Sequence, residues 1–228
     1  MRYSLLLSIL GVLLALLGLQ AGWPWSIPLV WLALNFVALG VAHSRGGHGI
    51  FGKRPDGTLR WWSWVLFLPL LLYTAAVWHL IRLISREAAV NRLTERIAIG
   101  RRLLPGELKE SFSNHVDLTA EFQEPDAYRS SAGYFAFPIL DAAAPNPEHL
   151  AQAIESLKEG PVFIHCAQGH GRTGLFALAL LLSSRAVGSL DEGLDLLAKA
   201  RPAVRLNRSQ LACARAFAAL HKEPDPSS

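Results

Sequence analysis

Three long apolar runs occupy the first third of the chain, and after them the pattern changes to short runs that alternate between strand-like and helix-like periods. Tyr3 to Ala21 is apolar almost throughout. Trp25 to Ala42 follows with Asn35 as its only strongly polar side chain, and Trp61 to Ile81 is interrupted by Pro69, Thr74 and His79. Each run approaches the ~20 residues that cross a bilayer core. Trp23, Trp25, Trp61, Trp62 and Trp64 crowd the run ends, as interfacial anchors do. Residues 1–84 are therefore expected to form a membrane region with three transmembrane helices, over about 3–21, 25–42 and 61–81. A cleaved signal peptide is the competing reading for residues 1–21. The run is long for one, and Leu19-Gln20-Ala21 makes a poor cleavage site, so an uncleaved anchor is expected.

Residues 85–102 read as a basic juxtamembrane linker. From Arg82 to Arg102 there are six arginines against Glu87 and Glu95. That spacing suits an amphipathic helix lying on anionic headgroups, or equally a solvated continuation of the third span. Beyond it, Arg96–Arg102, Asn114–Leu118, Tyr134–Ile139 and Pro161–His165 read as strands. Pro147–Lys158, Thr173–Ala186, Leu190–Ala200 and Asn207–His221 read as helices. The expected fold class is α/β: a mostly parallel central sheet flanked by helices, spanning residues 96–222, with a site at the C-terminal ends of the strands. Residues 223–228 are expected to be a disordered tail.

Composition changes this picture only at its edges. The net charge of +4 is modest, and the positive mean hydropathy comes from the apolar runs; no nucleic-acid partner is expected. Arg2, Arg45, Lys53, Arg54 and Arg60 would lie on one side of the membrane, and Arg82, Arg86, Arg92, Arg96, Arg101 and Arg102 on the other, so loop charge does not orient the chain. Two cysteines give no disulfide framework, and a reactive thiol survives best in a reducing compartment. The expectation is an integral protein of a bacterial inner or plasma membrane with its chemistry in the cytoplasm.

That chemistry sits in His165-Cys166-Ala167-Gln168-Gly169-His170-Gly171-Arg172-Thr173-Gly174. The apolar Val162-Phe163-Ile164 precedes it and the apolar stretch from Leu175 to Leu182 follows, which is the pattern of a buried strand, a glycine-bearing loop and a helix. Such a loop gathers main-chain N–H groups at a helix N-terminus, where anions are favoured. A cysteine there is a candidate nucleophile. An arginine six positions later supplies a planar fork for two phosphate oxygens. The loop lacks the lysine of a nucleotide-binding P-loop, and His165, Cys166 and His170 lack zinc-ligand spacing. Cys213 has no arginine at that spacing and lies in an alanine-rich helical stretch.

His165-Cys166-x5-Arg172-Thr173-Gly174 resembles the signature loop of the cysteine-dependent protein tyrosine phosphatase superfamily, and the domain's length resembles the compact dual-specificity branch. The resemblance runs from about Arg96 to about Leu220. It implies a general acid on a separate loop, and Asp141, after Tyr134–Leu140, is the candidate; Asp126 is the rival. It further implies that Cys166 attacks phosphorus while Asp141 protonates the leaving oxygen, and that water then attacks the phosphocysteine. Arg172 and the main chain of Ala167, Gln168, Gly169, His170 and Gly171 would hold the phosphate oxygens. Thr173 would donate toward the sulfur and His165 would order the loop from beneath. His170 either leans over the phosphate or is a solvated loop histidine. Asn207 or Gln210, in a stretch resembling the turn before the last helix, either braces the site or merely caps that helix. No metal and no cofactor are expected.

Substrate choice stays open at this level. The signature loop lacks the lysines that favour polyanionic inositol lipids, and the domain is short for a deep phosphotyrosine pocket, so a phosphoprotein is the expected substrate. Membrane tethering raises the local concentration of phospholipid monoesters such as phosphatidylglycerophosphate, so a lipid phosphatase is the alternative. A catalytically inactive phosphate-binding adaptor is a third reading, although both cysteine and acid are present; the Arg-Thr-Gly helix entry argues against a rhodanese-type sulfur transferase.

Overall fold

The computed structural model describes residues 2–47 and 49–220, so the expected tail at 223–228 lies outside the described residues. The chain divides into two compact units. One holds the residues up to Arg86 together with Ala120–Gln123; the other holds Glu87–Thr119 and the residues from Glu124 onward.

The first unit is helical. Helices α1 (Arg2–Gln20) and α2 (Ser26–Arg45) pack along each other. Small residues line their seam: a Cβ at Gly11 would strike Val37 and the Ala33 carbonyl, and one at Gly40 would strike Ser8. The Ser4 hydroxyl donates across the seam to Gly40 O at 2.6 Å. Small residues that let helix backbones approach, with a hydroxyl bonded across, are the usual means of holding helices in an apolar medium. Both helices are long and apolar enough to cross a membrane by length and composition. The third apolar run differs from its expectation. It breaks at Phe67 into α3 (Trp61–Leu66) and α4 (Leu68–Ile84), with Pro69 in the first turn of α4. Proline lacks the N–H that would continue the earlier helix and its ring crowds the preceding turn. At the break the Leu66 carbonyl accepts from Trp31 Nε1 at 2.8 Å and Asn35 Nδ2 at 2.9 Å.

The second unit is the α/β domain. Its strands are β1 (Val90–Arg92), β2 (Ile97–Arg101), β3 (Asn114–Thr119), β4 (Tyr134–Ile139) and β5 (Val162–Cys166). They form one sheet in the order β1-β2-β5-β3-β4, parallel except for β1, which pairs antiparallel with β2. The linker reading of residues 85–102 is therefore corrected. These residues build an edge hairpin in which Arg92, Arg96 and Arg101 lie on or beside strands, because Val90 and Ile97–Ile99 gain more from the sheet than from a headgroup surface. The four expected strands match in kind, with ends shifted by a residue or two; β1 and the single-turn helix α5 (Asp126–Arg129) carry too few apolar residues to stand out in the pattern.

Alternation along the central strands feeds two cores. Val162, Ile164 and Cys166 of β5, with Ile97 and Ile99 of β2, face the large core built with α6 (Pro147–Glu155), α7 (Gly171–Ser183), α8 (Leu190–Ala200) and α9 (Arg208–Leu220). Phe163 and Ala98 face a smaller one with Leu103 and Tyr128. Asn146 caps α6, its side chain accepting from Glu148 N at 2.7 Å, just ahead of Pro147. α7 runs through the large core with Thr173, Leu175, Phe176, Ala177, Leu178 and Ala179 wholly buried.

Buried Asn114 ties the entry of β3 to the turn before β5: its Nδ2 donates to Lys158 O at 2.7 Å and its Oδ1 accepts from Lys158 N at 2.8 Å. Asn114→Ala removes both bonds and is expected to lower stability by about 2–4 kcal/mol, measured by urea unfolding; a change within error would show that the turn holds without them.

Candidate active site

β5 is central in the sheet and ends at Cys166, which is 3 % exposed. The chain then turns through Ala167–His170 into α7. Gly169 makes that turn possible: its φ is +74°, and a Cβ there would run into the backbone of Gly100 and Arg101 on β2. Loop carbonyls are engaged by the protein. Arg102 N donates to Ala167 O at 3.2 Å, Arg201 Nη2 to Gln168 O at 3.0 Å, and Gly174 N to His170 O at 2.7 Å. No side chain caps α7, and an uncapped helix N-terminus is a favourable place for an anion.

Arg172, on the first turn of α7, is 3 % exposed. Its Nη1 donates to Ile139 O at 3.0 Å, at the end of β4, and its Nη2 lies 3.3 Å from Asp141 Oδ1. The structure thus brings Asp141 to the same arginine that follows Cys166 by six residues. The Asp141 side chain is 70 % exposed, on a solvent-facing loop. Asp126, the rival acid, is at the start of α5 and pairs with Arg129. Next to Asp141, Ala142 holds a left-handed φ of +58°, which costs a residue with a Cβ about 1–2 kcal/mol. The start of α9 holds it there. Asn207 Nδ2 donates to Ala142 O at 2.8 Å and Gln210 Nε2 to Ala143 O at 3.2 Å, while Asn207 Oδ1 also accepts from Gln210 N at 3.0 Å. Asn207 both caps α9 and braces the Asp141 loop.

His165 is fully buried beneath the loop, with Nδ1 3.4 Å from Cys166 O. Its ring stacks on Phe163 and meets His115 edge-on. The Nε2 atoms of His165 and His115 lie 3.8 Å and 3.7 Å from the same oxygen, Glu124 Oε1, and Arg102 Nε donates to Glu124 Oε2 at 3.2 Å. Among the described residues His115, Glu124 and His165 are close enough together to hold a metal. Their carboxylate is already neutralised by Arg102, and a buried dication beside that guanidinium would carry a Coulomb penalty, so the group fits a support for the loop. Thr173 Oγ1 is buried without a hydrogen-bond partner, so the donation to Cys166 Sγ that the resemblance implies is not formed in this state.

His170 neither overhangs the loop alone nor stands free in solvent: its Nε2 lies 2.8 Å from Glu87 Oε2. Glu87 also accepts from Arg201 Nη2 at 2.7 Å. Neither Glu87, in the stretch read as a linker, nor Arg201, in the turn before α9, was singled out by sequence, and nor were Arg102, His115 or Glu124. Arg102 is 22 residues from Glu124 and Glu87 is 114 from Arg201, and no spacing rule reaches that far. Cys213 differs sharply from Cys166: burial, with the Glu148 charge, pushes its thiol up to about 11, and its sulfur donates to Pro145 O.

Residues 86–188 match the model of the tyrosine phosphatase family. No curated protein matches the chain. Among solved structures, Tk-PTP in its active form is 25 % identical, with a TM-score of 0.52, and the match covers 57 % of this chain and 97 % of Tk-PTP. A mutant form of Tk-PTP is 28 % identical, with a TM-score of 0.50, over 58 % of this chain and 95 % of its own. A mouse putative dual specificity phosphatase complexed with zinc tungstate shares the fold, at 20 % identity and a TM-score of 0.50, over 60 % of this chain and 92 % of its own. The family model and the likeness to Tk-PTP support a phosphatase of the cysteine-dependent protein tyrosine phosphatase superfamily, and the mouse structure shows the same dual-specificity-like α/β fold.

Proposed function

We propose that this chain is a membrane-anchored phosphomonoester phosphatase that works through a phosphocysteine at Cys166 and acts on phosphoproteins, as a tyrosine or dual-specificity phosphatase. The observation that carries the reading is the convergence on one buried guanidinium: Arg172 follows Cys166 on the loop and reaches Asp141 from β4. An incoming phosphate takes over Arg172 Nη2 and draws on main-chain N–H groups of the loop and the first turn of α7, which releases Asp141 toward the leaving oxygen. Cys166 Sγ attacks phosphorus as the P–O bond to the substrate breaks, and Asp141 gives its proton to that oxygen. Water then attacks the phosphocysteine, Asp141 accepts its proton, and the S–P bond breaks to return thiolate and phosphate. The buried Thr173 hydroxyl is the donor available to the departing sulfur, and His165 with Asn207 keeps the two loops in place. The reaction needs no metal or cofactor.

The membrane anchor rests on α1 and α2, whose outward leucines, including Leu5, Leu6, Leu13 and Leu16, are more than half exposed in isolation. Such surface is costly in water and favourable in lipid. The same helices favour a second reading, a phosphatase of phospholipid monoesters, because they hold the site near membrane lipids. The α/β unit is proposed to face the cytoplasm. Full-length protein given phosphopeptides and, separately, phospholipid monoesters in vesicles should release phosphate faster from the peptides; faster release from the lipids would assign the second reading.

Cys166→Ser should abolish hydrolysis of an aryl phosphate without a change in unfolding midpoint, and turnover retained in that variant would remove the mechanism. Asp141→Ala is expected to slow turnover by a factor on the order of 10²–10⁴ while phosphate binding is kept; equal loss in Asp126→Ala instead would move the acid there. Iodoacetate near neutral pH should label Cys166 and leave Cys213 untouched, because Cys213 stays protonated until pH approaches about 11. Peptide mass spectrometry reads the result, and equal labelling would contradict the difference in environment.

A further inference from the structure

Arg201 is 2 % exposed, and four acceptors surround its guanidinium. Nη1 donates to Ala88 O and Asn91 Oδ1, each at 2.7 Å; Nη2 donates to Glu87 Oε2 at 2.7 Å and to Gln168 O at 3.0 Å. Three of these acceptors belong to Glu87–Asn91, the segment that begins the α/β unit immediately after Arg86. The fourth is a carbonyl of the Cys166 loop. Glu87 reaches the loop a second time through His170 Nε2 at 2.8 Å. One carboxylate therefore ties down both Gln168 and His170, on either side of Gly169, the loop's left-handed hinge.

A loop that presents N–H groups to an anion must turn its carbonyls away from it. Arg102 N does this for Ala167 O, and Arg201 does it for Gln168 O. An unrestrained Gln168 carbonyl at a glycine hinge is free to rotate toward the bound oxyanion and repel it. Burial lowers the Arg201 guanidinium from its ordinary value, and the nearby Glu87 charge opposes that fall. Without Glu87 the buried cation would keep only neutral acceptors from the segment, and His170 would lose its tether.

We propose that Glu87 and Arg201 are positioning residues for the oxyanion loop, so that the segment emerging from the helical unit at Arg86 forms the loop's back wall and sets its affinity for phosphate. The inference rests on the phosphatase reading only for its kinetic consequence; oxyanion binding tests it independently.

The test uses full-length wild type, Glu87→Ala, Glu87→Gln and Arg201→Lys, with Glu155→Gln, an exposed carboxylate on α6, as the charge control. Tungstate binding is measured by calorimetry, and KM and kcat with an aryl phosphate. Glu87→Ala and Arg201→Lys should weaken tungstate binding and raise KM by about tenfold or more, and Glu87→Gln, which keeps one acceptor, should fall between. Glu155→Gln should match wild type. Wild-type tungstate affinity in folded Glu87→Ala or Arg201→Lys would overturn the proposal. If Glu87→Ala does not fold, folded Glu87→Gln decides, and unchanged affinity there overturns it equally. A wild type that binds tungstate in a Glu87-dependent way yet hydrolyses nothing would sustain this inference and defeat the phosphatase reading.

Discussion

A short turn at the end of the central strand has to keep its carbonyls behind it, and the rest of the site depends on that constraint. Gly169 lies against Gly100 of the neighbouring strand, so the loop is pressed onto β2 and has no room for a side chain there. Arg102 N and Arg201 then hold the Ala167 and Gln168 carbonyls, and α7 begins without a side-chain cap. The helix dipole at the start of α7 is generic; the enclosure of the loop against β2 is particular to this packing.

Two loops from different strands meet at Arg172. Its position on the first turn of α7 follows from the signature spacing, but its engagement with Ile139 O and Asp141 follows from β4 lying at the sheet edge beyond β3. The strain at Ala142 is offset by Asn207 and Gln210, so the α9 entry, the Asp141 loop and the Cys166 loop form one connected support. Beneath them, His165, His115 and Glu124 make a buried polar layer on the thinner face of the sheet, where Phe163 and Tyr128 exclude water. Such a layer gains specificity only if its charges are matched, and Arg102 supplies the match to Glu124.

The helical unit obeys a different solvent logic. Its seam of Gly11, Gly40 and Ser4 brings backbones together, and many leucines of α1 face outward, whereas α7 hides its leucines in the core of the α/β unit. Pro69 divided what hydropathy alone reads as a third continuous span, because a hydropathy window registers apolar character and not a missing N–H.

Local rules were enough for much of this molecule. Apolar periodicity located α1, α2 and the α/β alternation, and the spacing of Cys166, Arg172 and Thr173 placed the loop between a buried strand and a helix, since strand, turn and helix are each encoded over a few residues. Asp141 was a candidate only through the resemblance, and its place beside Arg172 came with the tertiary structure. Short polar edge segments were not legible: β1 exists only by pairing with β2, so Val90–Arg92 lay hidden in a stretch that read as a basic linker. Glu87, Arg102, His115, Glu124 and Arg201 became parts of the site only through the tertiary structure. Ion pairs and hydrogen bonds between residues distant in sequence leave no period and no spacing; they exist because burying a guanidinium or a carboxylate is costly until the fold brings its partner alongside.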